Sequence, residues 1–256
     1  MQPTGSSLNF SIQVFALWKS YGSLAVLKGL NLQVPTGKNC VIFGRSGCGK
    51  SVLLRHIIGL EEPDSGSILI DSLPLAELKQ KKGAKKAMGM LFQNSALFDS
   101  LTILENVGFY PTQHPDPATG KKLADSEIEG RAQEALKKVG LSGSENKMPS
   151  ELSGGQKRRA ALARLLMYCP TIILYDEPTT GLDPITAQSI NELIKEVQVH
   201  LQATSIMVSH DIKSGLAIGD LFALQTDGAI DKTYSKDEFL MSPNPQIAQF
   251  LTKYPL

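Results

Sequence analysis

Short apolar runs of strand length recur along the chain and are separated by segments with helical periodicity. The clearest runs are residues 40–43, 88–92, 172–175 and 205–209. Each is followed by a glycine or a polar residue and has the length of a buried strand. Continuous apolar runs of this kind are typical of parallel strands that are covered on both faces. The pattern therefore predicts an α/β fold built on these strands.

The N-terminal and middle parts of the chain follow different patterns. Residues 8–34 read as strands and turns, with alternating apolar and polar positions over residues 30–34. Residues from about 94 to 150 are richer in helical pattern, most clearly over residues 128–139. Residues 111–125 are rich in Pro and Gly, which predicts an exposed loop. The sequence shows no internal repeat, and 256 residues are within the range of one domain.

The C-terminal segment has the pattern of a short amphipathic helix. Asn244 suits the N-cap and Pro245 suits the first helical position. The apolar residues that share one face of this helix are Ile247, Phe250, Leu251 and Tyr254. This face packs either against its own domain or on a partner subunit.

Residues 44–51 (GRSGCGKS) carry the most specific chemical signal in the chain. They fit the pattern glycine, four residues, glycine, lysine, and then serine or threonine, between a strand-length run and a helical segment. Glycines let backbone N–H groups approach phosphate, and a helix N-terminus adds a positive dipole end. We therefore predict an ATP site with Lys50 at the β- and γ-phosphates and Ser51 on Mg²⁺, the alternative being a structural glycine turn. The predicted nucleotide-binding residues of this loop are Gly44, Arg45, Ser46, Gly47, Cys48, Gly49, Lys50 and Ser51.

Polar residues suited to nucleotide chemistry follow the other three apolar runs. Gln93 follows the second run, Asp176 and Glu177 follow the third, and His210 follows the fourth. The carboxyl ends of parallel strands share one edge of a sheet, where open α/β sheets bind ligands. The alternatives are a structural histidine and a solvated acidic turn before Pro178. The shared position after buried strands favours a nucleotide site.

A second glycine-rich segment, residues 152–156 (LSGGQ), precedes a helical pattern over residues 156–167. Ser153, Gly154 and Gly155 would open this helix with exposed backbone N–H groups, which favours a second anion site. The alternative is a glycine-rich helix start without a ligand.

These segments together resemble the nucleotide-binding subunits of ABC transporters over nearly the whole chain. Residues 44–51 are similar to the Walker A motif and residues 172–176 to the Walker B motif. Residues 152–156 are similar to the ABC signature, which other phosphate-loop ATPases lack. Three further matches are Gln93 to the Q-loop, residues 181–184 (GLDP) to the D-loop, and His210 to the switch histidine.

The resemblance implies an α/β fold with a RecA-like P-loop ATPase core, an N-terminal antiparallel β subdomain and an inserted helical subdomain. Residues 1–256 would form a single ABC nucleotide-binding domain, with the helical subdomain at about residues 94–155 and a C-terminal tail at about residues 235–256. Because no apolar run approaches the length of a membrane span, the membrane-crossing part would be another chain.

The resemblance also implies a role for each site residue. Glu177 would orient the attacking water as a general base, His210 would donate to the γ-phosphate, and Tyr21 would stack on adenine. The implied catalytic residues are Glu177, His210, Gln93 and Lys50, and the implied Mg²⁺ ligands are Ser51, Gln93 and Asp176. Two subunits would close over shared ATP as a homodimer, with the opposite subunit contributing, in trans, Ser153, Gly154, Gly155, Gln156 and Asp183.

Composition bears on the partners and the compartment. The formal net charge of +1 gives no general argument for nucleic acid, and we expect no such partner. The three cysteines do not suggest a disulfide scaffold, and a reduced Cys48 in the phosphate loop suits a cytoplasmic protein. We expect the chain to be peripheral on the cytoplasmic face of the inner (plasma) membrane, held there by integral-membrane permease subunits.

Within the ABC family, several stretches resemble the MlaF-type ATPases of MCE-associated phospholipid transporters. These stretches are residues 44–60, 92–107, 149–155 and 175–186. The resemblance implies lipid cargo and an MCE-type lipid-binding protein as a further partner.

The permease contact is expected at residues 96–104, just after the Q-loop, where ABC ATPases receive a coupling helix of the permease. Leu97, Phe98 and Leu101 either line an apolar groove there or belong to the ordinary core.

Two stretches, residues 79–86 and 115–122, look longer than is usual in the family. The first contains a basic cluster that is either solvated surface or a contact for anionic lipid headgroups or an acidic partner. The cluster comprises Lys79, Lys81, Lys82, Lys85 and Lys86.

Two alternative functions stay open: the ATPase of a polar-nutrient importer, and a soluble ABC ATPase of DNA repair or translation. The second lacks support because the chain has neither a long coiled-coil insertion nor a second cassette.

Overall fold

The computed structural model describes residues 9–80, 88–116 and 119–254, with the side chains of residues 79 and 80 left out. The side chains of the basic cluster at residues 79–86 therefore lie outside the described part, as does the middle of the loop at residues 115–122. The chain divides into two compact units, residues 1–85 with 204–256, and residues 86–203.

The elements follow one another in the order of an α/β protein. In chain order they are β1 (Phe10–Tyr21), β2 (Leu24–Pro35), β3 (Asn39–Phe43), α1 (Lys50–Ile57), β4 (Ser65–Ile70), β5 (Leu73–Pro74), α2 (Leu75–Gln80), β6 (Met88–Leu91), α3 (Ile103–Gln113), α4 (Asp125–Lys138), α5 (Gly154–Leu166), β7 (Ile172–Asp176), α6 (Pro184–Leu201), β8 (Thr204–Ser209), α7 (Ile212–Ile218), β9 (Leu221–Thr226), β10 (Ala229–Ile230), α8 (Lys236–Leu240) and α9 (Pro245–Lys253). The four predicted apolar runs form β3, β6, β7 and β8, which confirms the α/β prediction.

The first unit contains two sets of strands. The N-terminal set is a four-stranded antiparallel sheet in the order β2-β1-β4-β5, as predicted for an antiparallel subdomain. It buries an alternating row of apolar side chains from β1, including Ile12 and Val14. In the second set, β3 lies between β8 and β9 and runs parallel to both, with β10 antiparallel to β9 at the edge.

Aromatic side chains pack around Phe43, the last residue of β3, in the core of the first unit. The ring of Phe43 lies 6.2 Å from that of Phe222, 5.4 Å from that of Phe239 and 5.9 Å from that of Phe250, between ring centroids. Phe250 belongs to α9 and is buried, as is Ile247 one turn earlier. The apolar face of the C-terminal helix therefore packs within its own unit, beside the strand that leads to the phosphate loop.

The start of α9 has the predicted chemistry. Asn244 is the N-cap, with its Oδ1 accepting from the N–H of Gln246 at 2.9 Å, and Pro245 is the first helical residue. The Asn244 Nδ2 also donates to Asp231 Oδ2 at 3.0 Å. The cap thus fastens α9 to the segment that follows β10.

Asn244→Ala should lower the free energy of unfolding by about 1 kcal/mol, because one N–H in the first turn of α9 then loses its acceptor. Chemical denaturation of the purified chain measures the difference. Gln249→Ala, an exposed change within the same helix, should stay within about 0.5 kcal/mol of the parent. Equal losses in the two variants would contradict a capping role for Asn244.

The second unit combines the parallel pair β6 and β7 with helices α3 to α6. The helical pattern predicted over residues 128–139 forms α4, which begins earlier, at Asp125, and ends at Lys138 with Val139 as its C-cap. The prediction of an exposed loop over residues 111–125 is wrong at its start, because α3 continues to Gln113 with a buried Pro111 inside it. Proline removes one backbone donor, but near the end of a helix this costs only one hydrogen bond of the last turns.

Across residues 9–80, 88–116 and 119–254, every helix is too short or too polar to span a lipid bilayer.

Candidate functional site

The loop at residues 44–49 connects β3 to α1 in the first unit. Gly49 is the N-cap of α1 and has φ +99°, a left-handed conformation that glycine adopts without a Cβ clash. A Cβ on Gly44 would lie 2.7 Å from both Cys48 Sγ and the carbonyl oxygen of Gln225, so only glycine fits. The first turn of α1 brings Lys50 and no negative charge. Its N-terminal N–H groups and positive dipole end therefore favour an anion.

Side-chain donors hold the carbonyl oxygens of this loop. The Lys50 Nζ donates to the carbonyl oxygens of Gly44 at 2.8 Å and Arg45 at 3.1 Å. The Nε2 of Gln225, a fully buried residue of β9, donates to the carbonyl oxygen of Cys48 at 2.9 Å. These donors offset part of the negative charge of the carbonyl oxygens and so reduce their repulsion of a bound phosphate.

His210 lies at the same edge of the parallel strands as the phosphate loop. Phe43 and Ser209 are Cα partners in β3 and β8, so Gly44 and His210 are the next residues along neighbouring strands. The N–H of Asp211, the N-cap of α7, donates to Ser209 Oγ at 2.9 Å. The backbone on both sides of His210 is therefore fixed.

Tyr21, the predicted adenine-stacking residue, ends β1 with 44% of its surface exposed. Its hydroxyl donates to the Glu61 carboxylate, and Glu61 Oε1 lies 2.6 Å from Arg55 Nε in α1. Burial and the Glu61 carboxylate raise the pKa of Tyr21 above its ordinary value. The ring is thus neutral at physiological pH and tethered to the helix that begins at Lys50. An exposed aromatic face of this kind suits stacking on a base.

Gln93 lies in a tight turn after β6 in the second unit. The N–H of Ser95 donates to the carbonyl oxygen of Phe92 at 2.9 Å, which closes the turn. Gln93 and Asn94 form its exposed tip. A glutamine in this position can swing its amide toward a ligand while its backbone stays in place.

Asp176 ends β7 beside that turn. Leu91 and Tyr175 are Cα partners in the parallel strands β6 and β7, so the turn and Asp176 share one edge. Asp176 is 7% exposed. Burial lowers the pKa of the neighbouring Arg158, while the charge of Asp176 acts in the opposite direction. Asp176 is therefore a carboxylate in a largely dry environment next to a buried cation.

Glu177 follows directly and has an unusual backbone conformation. Its φ is +48°, the left-handed region, which costs a non-glycine residue about 1–2 kcal/mol. Thr180 Oγ1 donates to Glu177 Oε2 at 2.9 Å, and the residue is 8% exposed. Strain of this kind is concentrated at functional sites. Because of this left-handed conformation, the chain turns away from the direction of β7 at Glu177.

The glycine-rich segment forms the N-terminus of α5. This helix begins at Gly154, with Ser153 as N-cap, and not at Gln156 as the sequence pattern suggested. Ser153 Oγ accepts from the N–H of Gln156 at 3.3 Å, and Gln156 Oε1 accepts from the N–H of Ser153 at 2.9 Å. The capping box leaves Ser153 and Gly154 exposed at the helix end. This arrangement suits binding of an anion.

Asp183 caps the neighbouring helix α6. Its Oδ1 accepts from the N–H of Thr186 at 3.0 Å, and hydrogen bonds from Thr186 lower the pKa of Asp183. A Cβ on Gly155 would lie 2.5 Å from Thr186 Cγ2, so α5 and α6 approach closely there. The structure thus brings the glycine-rich segment and Asp183 together.

The predicted site residues fall in both units. The first unit holds Tyr21, the phosphate loop and His210, and the second holds Gln93, Asp176, Glu177, residues 153–156 and Asp183. Their chemistry fits MgATP. In the first unit, Lys50 and the N-terminus of α1 suit phosphate, and the Ser51 hydroxyl is a hard oxygen ligand of the kind that Mg²⁺ prefers. In the second unit, the Asp176 carboxylate is a ligand of the same kind.

Several residues that contact the predicted site residues were not predicted from the sequence. They are Gln225 at the phosphate loop, Glu61 at Tyr21, Thr180 at Glu177, and Arg158 and Arg164 in α5. Only the arginines left a signal in the sequence, as charges within an alanine- and leucine-rich helical segment.

The comparisons with known proteins agree with this geometry. Residues 27–180 match the family model described as ABC transporter. A dimeric, post-hydrolysis structure of the ATP-binding cassette MJ0796, bound to ADP and Pi, superimposes with a TM-score of 0.76 and is 32% identical. The match covers 88% of this chain and 98% of that one. It confirms the predicted fold.

Two relatives are similar over most of their length. The probable ribonucleotide transport ATP-binding protein mkl of Mycobacterium tuberculosis is 38% identical over 98% of this chain and 70% of its own. The intermembrane phospholipid transport system ATP-binding protein MlaF of Haemophilus influenzae is 39% identical over 94% of this chain and 89% of its own.

Proposed function

The chain belongs to the ABC transporter family as an ATP-binding and ATP-hydrolysing subunit, and on this premise we propose that it powers a membrane permease for phospholipids or related lipids. The observation that carries the nucleotide part is the phosphate loop at residues 44–49, with its carbonyl oxygens held by Lys50 and Gln225. The lipid part is supported by the similarity to MlaF. In this proposal residues 1–256 act as one nucleotide-binding domain.

Nucleotide binding is proposed to use the first unit. The N–H groups at the start of α1 and the Lys50 ammonium hold the phosphates, and the exposed ring of Tyr21 stacks on adenine. The Ser51 hydroxyl and the Asp176 carboxylate, with Gln93, would hold Mg²⁺, which when bound offsets the negative charge of the phosphate oxygens.

Hydrolysis is proposed to depend on Glu177. As a general base, its carboxylate accepts a proton from water as the water attacks the γ-phosphate. Thr180 holds one carboxylate oxygen, which leaves the side chain oriented before substrate arrives. His210 donates to the γ-phosphate, and Gln93 responds to the presence of the nucleotide. These residues position and stabilise charge, which is most of what phosphoryl transfer needs.

Two copies of the chain are proposed to share each ATP. The N-terminus of α5, with Ser153, Gly154, Gly155 and Gln156, would meet the γ-phosphate held by the other copy, and Asp183 would lie at the same interface. The capping box explains how this end stays ordered while Ser153 and Gly154 remain exposed. ATP then joins the subunits, and hydrolysis releases them.

The permease is proposed to dock beside α3. A groove of about 510 Å³ lies between α3 and α4, lined by residues such as Leu104, Phe109 and Ile128. Phe98 is 43% exposed and its ring centroid lies 4.6 Å from that of Phe109. An exposed aromatic pair beside an apolar groove suits an amphipathic helix of a partner. Such docking would hold the chain on the cytoplasmic face of the inner membrane, with an MCE-type lipid-binding protein in the same assembly.

Phe98→Asp should prevent assembly with the permease while the isolated subunit keeps its basal ATPase activity. A carboxylate in an apolar contact costs several kcal/mol unless it is paired or neutralised. Co-purification of a tagged chain from membranes measures assembly, and lipid analysis of the purified complex identifies phospholipid that travels with it.

Val199→Asp is the matched control for Phe98→Asp, because Val199 is also exposed and apolar but lies on α6. It should assemble normally. Normal assembly of Phe98→Asp would contradict the docking surface. A permease with a soluble binding protein and no bound phospholipid would contradict the lipid cargo and favour the polar-nutrient importer, which the similarity to mkl supports.

A further inference from the structure

The turn that carries Gln93 is attached to the glycine-rich helix α5 by two arginines. Gln93 and Asn94 project from a turn that is closed between Phe92 and Ser95. Both ends of this turn, and the residue after it, accept hydrogen bonds from α5. The position of Gln93 therefore depends on a helix that lies more than sixty residues later in the sequence.

Arg158 holds the base of the turn. Its Nη1 donates to Ser95 Oγ at 2.8 Å and to the carbonyl oxygen of Phe92 at 3.3 Å. Its Nε donates to the carbonyl oxygen of Pro178, directly after Glu177, at 3.0 Å. Arg158 is 6% exposed, so these bonds form where water does not compete. A single guanidinium thus joins the Gln93 turn to the segment that follows β7.

Arg164 holds the next two carbonyl groups. Its Nη1 donates to the carbonyl oxygen of Ala96 at 2.8 Å and its Nη2 to that of Ser95 at 3.3 Å. Ser95 and Ala96 have φ +64° and +44°, two consecutive non-glycine residues in the left-handed region. Each residue is strained in that conformation, because its Cβ lies too close to the following carbonyl oxygen. The fork of Arg164 offsets this strain, and a lysine cannot reproduce two parallel donors.

Asn106 fastens the other end of the same segment to α3. Its Oδ1 accepts from the N–H of Phe98 at 2.7 Å, and its Nδ2 donates to the carbonyl oxygens of Phe98, Leu101 and Thr102 at 2.9–3.0 Å. Asn106 is fully buried. Residues 92–102 are therefore bound on one side by α5 and on the other by α3.

We propose that Arg158 and Arg164 are positioning residues for Gln93, so that the Gln93 turn moves with α5, the helix that Ser153 caps. The inference rests on the proposed role of Gln93 in hydrolysis. A displacement of α5, whether by the partner subunit at its N-terminus or by a partner at α3, is then passed to Gln93 through hydrogen bonds to its backbone.

Arg164→Met tests this with the fewest side effects, because within the described part of the chain the hydrogen bonds of Arg164 go to Ser95 and Ala96. The kcat for ATP hydrolysis by the full chain should fall about tenfold. The Kd for a fluorescent ATP analogue should stay within about twofold, because the phosphate loop belongs to the other unit. If Arg164 only stabilised the fold, the substitution would lower ATP affinity, turnover and the free energy of unfolding together.

The same substitution in a Gln93→Ala background separates positioning from general damage. If Arg164 acts through Gln93, the double variant should lose less than about twofold in kcat beyond Gln93→Ala alone. A further tenfold loss would overturn the inference. If Arg164→Met hydrolyses ATP at the parent's rate and Gln93→Ala does not, the inference is overturned but the role of Gln93 stands. Parent turnover in Gln93→Ala would contradict that role and the inference with it.

Ala96→Gly provides a rescue. Glycine adopts the left-handed conformation without a Cβ clash, so the turn needs less support from the arginine fork. Arg164→Lys, which keeps the charge and most of the volume, should have reduced kcat, and Ala96→Gly should recover at least about a third of the loss in that background. No recovery in a chain with the parent's unfolding midpoint would overturn the inference.

Discussion

Glu177→Gln is expected to lower kcat for ATP hydrolysis by about 10²–10⁴-fold, the usual contribution of a general base, while ATP affinity stays near that of the parent. The amide keeps the size and shape of the carboxylate and still accepts the hydrogen bond from Thr180 Oγ1. It does not accept a proton from the attacking water. ATP that binds without being hydrolysed should hold two copies together.

Two measurements check this expectation: steady-state phosphate release, and size-exclusion chromatography with and without ATP. Glu196→Gln is the matched control, because it makes the same chemical change at an exposed position of α6 in the same unit. It should hydrolyse ATP as the parent does and show no ATP-trapped dimer. Parent-like turnover by purified Glu177→Gln would refute the assignment of Glu177.

Local rules explain which features the sequence predicted well. The phosphate loop, the strand before it and the helix after it are contiguous, so their geometry follows from glycine positions and apolar periodicity. The N-cap at Asn244 follows from its side chain acting within two residues. The sequence pattern predicts the start of α5 two residues late, because glycines have low helix propensity. There the capping box between Ser153 and Gln156 outweighs that propensity.

Long-range contacts explain what the sequence did not predict. Gln225 supports the phosphate loop from a strand 177 residues away. Ser95 and Ala96 take left-handed conformations that their residue types disfavour, and hydrogen bonds from Arg158 and Arg164 hold them there. Such positions contradict local preference because tertiary hydrogen bonds override it. They coincide with the turn that carries Gln93, whose proposed role in hydrolysis depends on the position of that turn.

Ser153→Arg is expected to abolish ATP-dependent dimerisation and to lower kcat by at least about 10²-fold, the cost of losing a charge-stabilising donor site. The long side chain fills the exposed end of α5, where the γ-phosphate held by the other copy is proposed to lie. ATP binding to the monomer should survive, because Lys50 and the phosphate loop are unchanged. Nucleotide titration and light scattering with ATP separate the two effects.

Ser235→Arg is the matched control for Ser153→Arg, because it also removes a serine N-cap. Ser235 caps α8 with the same reciprocal bonds, to Glu238, that Ser153 makes to Gln156. Both variants should lose about 1 kcal/mol of stability from the missing cap, but only Ser153→Arg should lose dimerisation and turnover. Equal loss of turnover in both would assign the effect of Ser153→Arg to helix stability.

Mixing Ser153→Arg with Lys50→Ala chains tests whether the site is shared between copies. Each variant alone should be inactive. Ser153→Arg lacks an intact N-terminus of α5, and Lys50→Ala lacks phosphate binding. In a mixed dimer, the intact phosphate loop of one chain faces the intact α5 end of the other, because a two-fold dimer pairs the same surfaces reciprocally. One of its two sites is then complete, so activity should reappear on mixing and be absent from either variant alone. Parent-like turnover by Ser153→Arg monomers would instead mean that each chain hydrolyses ATP without its neighbour.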